Sequence, residues 1–344
     1  MFLKTIEVQN FRSISNLKVE DLGQINIFTG KNNCGKTTLL EAVFQLIAWQ
    51  IGGLQQLNAL RSLSKNHTDF SGFFYNMQEE STVIINGIFD QNSYHRTVKI
   101  HFTSTISSFN EESTQHLQSG LSESQKGENL SETIVSKAKI KDGEIAYDDI
   151  IQAPSVSLRC NFPIFKVFEH GNLVRSLSEI IKKKQDSKVV ELLQQIDNRI
   201  RDIKVVENSI WLDLENFPKL IPIEISGDGL RRILSVILSI YGVGKGGIVM
   251  IDEVENGLHF STMPKFWRGL INASQEIGIQ LFITTHNEEL LQSLSATAQE
   301  NAYKAMQSNI KYYNLKRYVN DEIVAYKYDF EKFDFLISNG NEIR

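Results

Sequence analysis

Cysteine is scarce: Cys34 and Cys160 stand alone in 344 residues, which excludes a disulfide framework and fits a reducing cytoplasm. Proline is scarcer still for this length, and five of them exclude a Pro-rich linker array. No run of about 18 uncharged apolar residues occurs, so no transmembrane helix is predicted. The opening Met1-Phe2-Leu3-Lys4-Thr5-Ile6-Glu7 lacks the apolar stretch of a signal peptide. Positive charge is not in excess: 36 Lys and Arg face 41 Asp and Glu, a net charge of −5. No global basic field therefore draws the chain to nucleic acid or membrane. Asp-x-Asp is absent, and so is any internal repeat. What is present is a 41% hydrophobic content, enough to bury a sizeable core in one large domain or two.

Gly30-Lys31-Asn32-Asn33-Cys34-Gly35-Lys36-Thr37 matches G-x-x-x-x-G-K-[ST] at every specified position. A short strand, Ile25–Phe28, precedes it, and Thr38 to Ile47 follows with helical character. Glycines at 30 and 35 permit backbone angles that turn successive N–H groups onto phosphate oxygens. Lys36 adds a point charge, the Thr37 hydroxyl suits Mg²⁺, and the helix directs its N-terminal dipole at the same anion. Asn32, Asn33, Cys34 and Thr38 complete the candidate nucleotide-binding set.

Around this loop the pattern predicts a hairpin, Leu3–Val8 as an edge strand paired with Ile14–Val19, added to the main sheet. The helix after the loop is expected to stop at Gly52-Gly53, with another helix over Leu54–Leu63. Thr82–Asp90 and Arg96–Thr103 read as a hairpin. Ser104 to about Glu132 holds eight serines and few large apolar residues, and reads as a long surface loop. Ile134–Ile140 and Glu144–Tyr147 read as a hairpin turning on Asp142-Gly143. Helices are predicted over Asn172–Lys184 and Ser187–Ile200, followed by short strands to Ile225. Lys182, Lys183, Lys184, Arg199, Arg201 and Lys204 make 182–204 the most basic region, a candidate phosphate-backbone contact. From Gly229 onward, apolar strands at Gly247–Ile251 and Ile279–Thr284 alternate with helices. Such strands predict a parallel sheet covered on both faces. A hairpin (Lys311–Tyr318, Glu322–Tyr328) and a helix (Phe330–Ser338) close the chain.

The strand Gly247–Ile251 delivers Asp252 and Glu253 to its end. The first carboxylate suits a metal, the second the polarisation of an attacking water. Ser226-Gly227-Asp228-Gly229 opens a helix and forms a second anion-binding terminus, with Ser226, Gly227 and Gly229 as its candidates. With no second Lys-bearing loop, it suggests a composite site in which another subunit supplies it. The strand Leu281–Thr284 leads to His286 at the edge where α/β sheets bind ligands, placed to report a γ-phosphate.

In combination these residues resemble the ABC-type ATPases of the OLD, RecF and SMC group, most closely the stand-alone ATPases related to OLD proteins. The resemblance rests on Val8-Gln9-Asn10-Phe11-Arg12-Ser13, the loop Gly30–Thr37, the signature-like Ser226–Arg232, the run Asp252–His259, and Thr284-Thr285-His286. It implies an ABC-type P-loop NTPase fold of the α/β class, with a mixed, mostly parallel sheet, helices on both faces, an antiparallel N-terminal β region and a helical insertion. One ATPase domain over 1–344 is expected, with lobes 1–103 and 226–344 around an insertion at 104–225. The implied activity is Mg²⁺-dependent ATP hydrolysis, with Lys36, Glu253 and His286 as catalytic residues and Thr37 and Asp252 as metal ligands. The implied assembly is an ATP-dependent head-to-tail dimer or higher homo-oligomer, closed in trans by Ser226 and Gly229. OLD proteins carry a Toprim nuclease, which the missing Asp-x-Asp argues against here. The expected partner is therefore a separately encoded effector such as a nuclease, in phage defence or DNA maintenance. A RecF-like DNA repair clamp using 182–204 is one alternative; the ATPase subunit of a transporter is another.

Overall fold

A computed structural model of the chain describes residues 1–61, 69–106, 113–130, 133–141, 144–148, 153–162, 170–255 and 258–339. The elements run β1 (Leu3–Phe11), β2 (Ile14–Val19), β3 (Ile25–Thr29), α1 (Lys36–Ile47), α2 (Ile51–Leu60), β4 (Val83–Phe89), β5 (Tyr94–Ile106), β6 (Ser113–Gln125), β7 (Glu128–Asn129), β8 (Ile134–Lys141), β9 (Glu144–Tyr147) and β10 (Cys160–Asn161). Then come α3 (His170–Lys182), α4 (Asp186–Ile196), β11 (Ile200–Val206), β12 (Ser209–Leu214), β13 (Ile221–Pro222), α5 (Asp228–Val243), β14 (Ile248–Ile251), α6 (Met263–Ile277), β15 (Gln280–Thr284), α7 (Glu288–Gln299), β16 (Ile310–Arg317), β17 (Ile323–Tyr328) and α8 (Phe330–Ser338). The chain divides into two compact units. The first comprises Met1–Gly23, Phe28–Cys160 and Tyr313–Lys327; the second comprises Gln24–Ile27, Asn161–Tyr312 and Tyr328–Arg344.

The first unit is built on an eight-stranded sheet in the order β2-β1-β4-β5-β6-β8-β9, with β7 on β6 and antiparallel pairing throughout. The N-terminal hairpin belongs to this sheet, not to the parallel one, and β1 is an interior strand flanked by β2 and β4. Alternation marks the strand: β4 reads buried and half-buried in strict turn, and its buried face meets α1, where a Cβ on Gly87 would stand 2.4 Å from Leu46 Cδ2.

Two expectations fail in this unit for identifiable reasons. The Ser-rich stretch is mostly strand: β5 continues to Ile106, and β6 pairs with it from Tyr94↔Gln125 to Ile106↔Ser113. Leu117, Ser119, Leu121 and Glu123 are the buried alternate positions of β6. Two of the four are polar, which disguised the period. Each is satisfied: Ser119 Oγ donates to the Trp49 carbonyl, and Glu123 Oε1 pairs with Arg96 Nη2 at 2.7 Å. Gly52 and Gly53 do not stop a helix either. The helix α1 ends at Ile47, and both glycines lie in the first turn of α2. A Cβ on Gly53 would stand 2.3 Å from the Ala48 carbonyl oxygen, so glycine there permits close passage between the two helices. The expected turn at Asp142-Gly143 lies outside the described residues.

In the second unit β14 and β15 pair in parallel, from Ile248↔Gln280 to Ile251↔Ile283, and every residue of both is buried. The start of β3 lies beside β15, where Leu281 N–H donates to Gln24 O (2.8 Å) and Asn26 Nδ2 to Leu281 O (3.1 Å). The helices α5, α6 and α7 supply the core that covers these strands. Trp267 is fully buried, with its Nε1–H donating to Leu290 O at 3.0 Å. The helical region α3–α4 packs on α5 and on the small sheet β11-β12-β13. The predicted helix ending at Ile200 stops at Ile196, because Asp197–Arg199 turn the chain and Ile200 begins β11. Among the described residues no helix is long and apolar enough to cross a membrane.

Candidate active site

In the first unit the loop Gly30–Thr37 takes a shape that its glycines require. Gly30 has φ 136° and Gly35 φ 94°, with Asn33 also left-handed at 64°. A Cβ on Gly30 would lie 2.3 Å from the Leu315 carbonyl oxygen of β16. Gly35 caps α1, whose first turn holds no acidic residue and offers no side-chain cap. A helix N-terminus of this kind favours an anion through its dipole. Lys36 is buried, and its ammonium donates to Gly30 O at 2.6 Å and Lys31 O at 3.1 Å. Lys31, Asn32 and Asn33 are exposed, Thr37 is half-buried, and Cys34 is buried beneath them. Burial pushes the Cys34 thiol upward, against the pull of Lys36, so the loop carries no thiolate beside its phosphate-binding groups.

The turn between β1 and β2 fastens this loop. Ser13 Oγ lies 3.0 Å from Thr38 Oγ1, and Ser13 O accepts from Arg317 Nη2 at 2.8 Å. Glu41, one turn into α1 and 1% exposed, ion-pairs with Arg12 Nε (2.8 Å) and with Arg61 Nε (2.7 Å). Arg12 also lies over the Phe73 ring at 4.1 Å. Burial lowers the Arg12 guanidinium to about 10 despite Glu41, so it is a cation at neutral pH and needs its carboxylate. Motif reading quoted Arg12 but missed Glu41, whose one sequence signal was an acid on an otherwise apolar helix.

In the second unit β14 delivers Asp252 and Glu253. Thr284 Oγ1, fully buried at the end of β15, donates to Asp252 Oδ1 at 2.5 Å and accepts from Glu253 N–H at 2.8 Å. Val254 N–H donates to Thr284 O at 3.2 Å. Glu253 is exposed and takes φ 47°, a left-handed angle that turn residues such as Glu207 and Asp321 also hold. Arg232 Nη2, one turn into α5, stands 3.5 Å from the Glu253 carbonyl oxygen. His286 is held by Glu255: Nδ1 lies 2.7 Å from Glu255 Oε1, which also accepts from the His286 backbone N–H at 3.0 Å. Thr284 thus holds Asp252 and Glu253, and Glu255 holds His286; both residues lie in quoted motifs, but these bonds were not legible there. Ser226 is turned otherwise. Gly227, not Ser226, is the N-cap of α5, and Ser226 Oγ donates to Ile223 O at 2.6 Å.

The basic region is less available than its composition implied. Lys182 pairs with Glu179 (2.7 Å), Arg199 with Asp197 (2.7 Å), Arg201 with Glu215 (3.2 Å) and Lys204 with Asp202 (3.6 Å).

A glycine-shaped phosphate loop opening a helix and a parallel strand ending in two carboxylates define a P-loop NTPase. Residues 25–292 match the family described as "AAA domain, putative AbiEii toxin, Type IV TA system", and the chain belongs to that family. It is an ATPase with an AAA domain. It is 24% identical to an "ATP/GTP phosphatase" of Helicobacter pylori over 87% of this chain and 89% of that protein. A shorter stretch of 46 residues is 50% identical to the "DNA replication and repair protein RecF" of Lactobacillus acidophilus, covering 13% of this chain and 12% of that one. The fold is similar to that in the "Crystal structure of the SmcHead bound to the C-winged helix domain of ScpA". That likeness has a TM-score of 0.53 and 10% identity, over 96% of this chain and 99% of the other.

Proposed function

We propose that the chain is an ATP-driven switch: two copies close head to tail on ATP, and hydrolysis reopens them. The conformation of Gly30–Thr37 carries the reading, with a buried Lys36 ammonium already turned onto its own loop and a helix terminus with no side-chain cap behind it. Lys36 and the N–H groups of the loop, from Asn32 to Thr38, bind the phosphates. Thr37 and Asp252 are hard oxygen donors of the kind Mg²⁺ takes, and the ion would supply charge neutralisation at the β- and γ-phosphates. Glu253 orients and activates the attacking water, and His286 meets the γ-phosphate. Ser226, Gly227 and Gly229 of the second copy close each site; Ser226 must then leave its bond to Ile223. The phosphatase activity named for the Helicobacter pylori relative supports hydrolysis. The toxin–antitoxin description of the family supports a separately encoded effector, for which a nuclease in phage defence is our reading. The chain acts in the cytoplasm, as a single ATPase domain whose lobes flank the 104–225 insertion.

The test is Glu253→Gln. Hydrolysis falls about 100- to 10,000-fold, the range for loss of a general base, while ATP stays bound and the solution mass doubles with ATP. Native turnover in this variant would remove Glu253 from the mechanism; a mass unchanged by ATP would remove the clamp. The RecF relative supports a second reading, direct DNA binding. It predicts DNA-stimulated hydrolysis with steep salt dependence, and the acid-paired cations of 182–204 argue against that stretch as its contact.

A further inference from the structure

Glu255 has no part in the reaction as proposed, yet its environment is costly. Its side chain is 6% exposed, and Oε2 is buried with no hydrogen-bond donor among the described residues. Burying a carboxylate costs several kcal/mol unless its partners compensate. Among the described residues its side-chain hydrogen bonds go to one residue, while the Arg232 guanidinium acts on it through charge alone. Oε1 accepts from both the ring and the backbone N–H of His286, whose side chain is 49% exposed. The asymmetry is informative. A fixed, buried acid holds a half-exposed ring, so the acid orients the histidine and not the reverse. Both bonds converge on one oxygen, which restrains the ring relative to its own main chain. With Nδ1–H committed to Oε1, Nε2 is the ring atom left to the solvent side.

We propose that Glu255 is a positioning residue that fixes His286 as its Nδ1–H form and presents Nε2 to the nucleotide. Neutral, Nε2 offers a lone pair. Protonated, it is the donor a phosphate oxygen needs. The proposal rests on the reading of His286 as a γ-phosphate contact, and its test separates the two.

The full chain, labelled with ¹⁵N-histidine and free of nucleotide, is compared by long-range ¹H–¹⁵N correlation at alkaline pH in the native form, Glu255→Ala and Glu255→Gln. The His286→Gln variant assigns the signal among the seven histidines. The native ring is expected as Nδ1–H. Glu255→Gln keeps that form, because its amide oxygen still accepts, and Glu255→Ala moves the ring to the Nε2–H form that free histidine favours. An Nε2–H ring in the native protein, or the same tautomer in Glu255→Ala, overturns the proposal. In hydrolysis assays Glu255→Ala loses about 10- to 100-fold, the usual effect of removing a ligand's orienting partner. Glu255→Gln recovers most of that loss, and adding His286→Gln to Glu255→Ala costs nothing further. If His286→Gln alone hydrolyses ATP at the native rate while the tautomers behave as expected, the phosphate role of His286 falls and the hold by Glu255 stands. Should Glu255→Ala not fold, the native and Glu255→Gln spectra still decide the tautomer.

Discussion

The phosphate loop and the carboxylate edge are made by different means. The loop owes its form to backbone: two left-handed glycines, a helix terminus with no side-chain cap and a lysine bonded to carbonyls of its own loop, all within eight consecutive residues. The edge owes its form to side chains brought from afar, Thr284 onto Asp252 and Glu255 onto His286, each pair about thirty residues apart in sequence. A backbone-built half tolerates little change in residue type at its glycines, whereas a side-chain-built half can be dismantled one bond at a time. Substitutions in each half should therefore fail in different ways.

The largest effect is expected where the loop's scaffold depends on a buried charge. Glu41→Ala leaves Arg12 buried without its carboxylate and should cost about 3–5 kcal/mol of stability, read by urea denaturation; a loss below about 1 kcal/mol would mean that Arg12 is already compensated elsewhere. Next is Gly30→Ala, which meets both an unfavourable φ and the Leu315 carbonyl. Strain of about 1–3 kcal/mol should weaken ATP binding roughly 10- to 100-fold by calorimetry, with the melting temperature falling less than for Glu41→Ala. At the carboxylate edge, Thr284→Val removes one donor and one acceptor at constant shape. We expect a loss of about 1–2 kcal/mol, seen as a lower kcat with near-native ATP affinity, since Asp252 and Glu253 lose their orientation while the loop is untouched. An affinity loss as large as that of Gly30→Ala would erase the distinction between the halves. Smallest is Arg199→Ala, outside both. Its pair with Asp197 is solvent-exposed and contributes little, so stability and any effect of DNA on hydrolysis should stay at native levels.

Legibility follows the same division. The helix α8 was predicted to the residue, because a polar cap, Asp329, precedes an amphipathic run. The Ser-rich strand β6 was not, because Ser119 and Glu123 stand at inward positions and only their partners, Trp49 and Arg96, make those positions habitable. The same holds for Glu255, an acid in an acidic run until His286 meets it. Ser226 shows the converse: the sequence offered it as part of an anion-binding terminus, and the fold turned its hydroxyl to Ile223.

By itself the sequence determined what depends on neighbours in the chain. It specified a phosphate loop, since glycine angles, helix polarity and a nearby lysine are local properties, and it specified two buried strands with the carboxylates and histidine at their ends. Tertiary structure alone decided which oxygen of Asp252 is already bonded, which nitrogen of His286 is held, and that a polar stretch completes a sheet. Those outcomes depend on desolvation and hydrogen bonding between distant residues, and no local pattern encodes a partner's position.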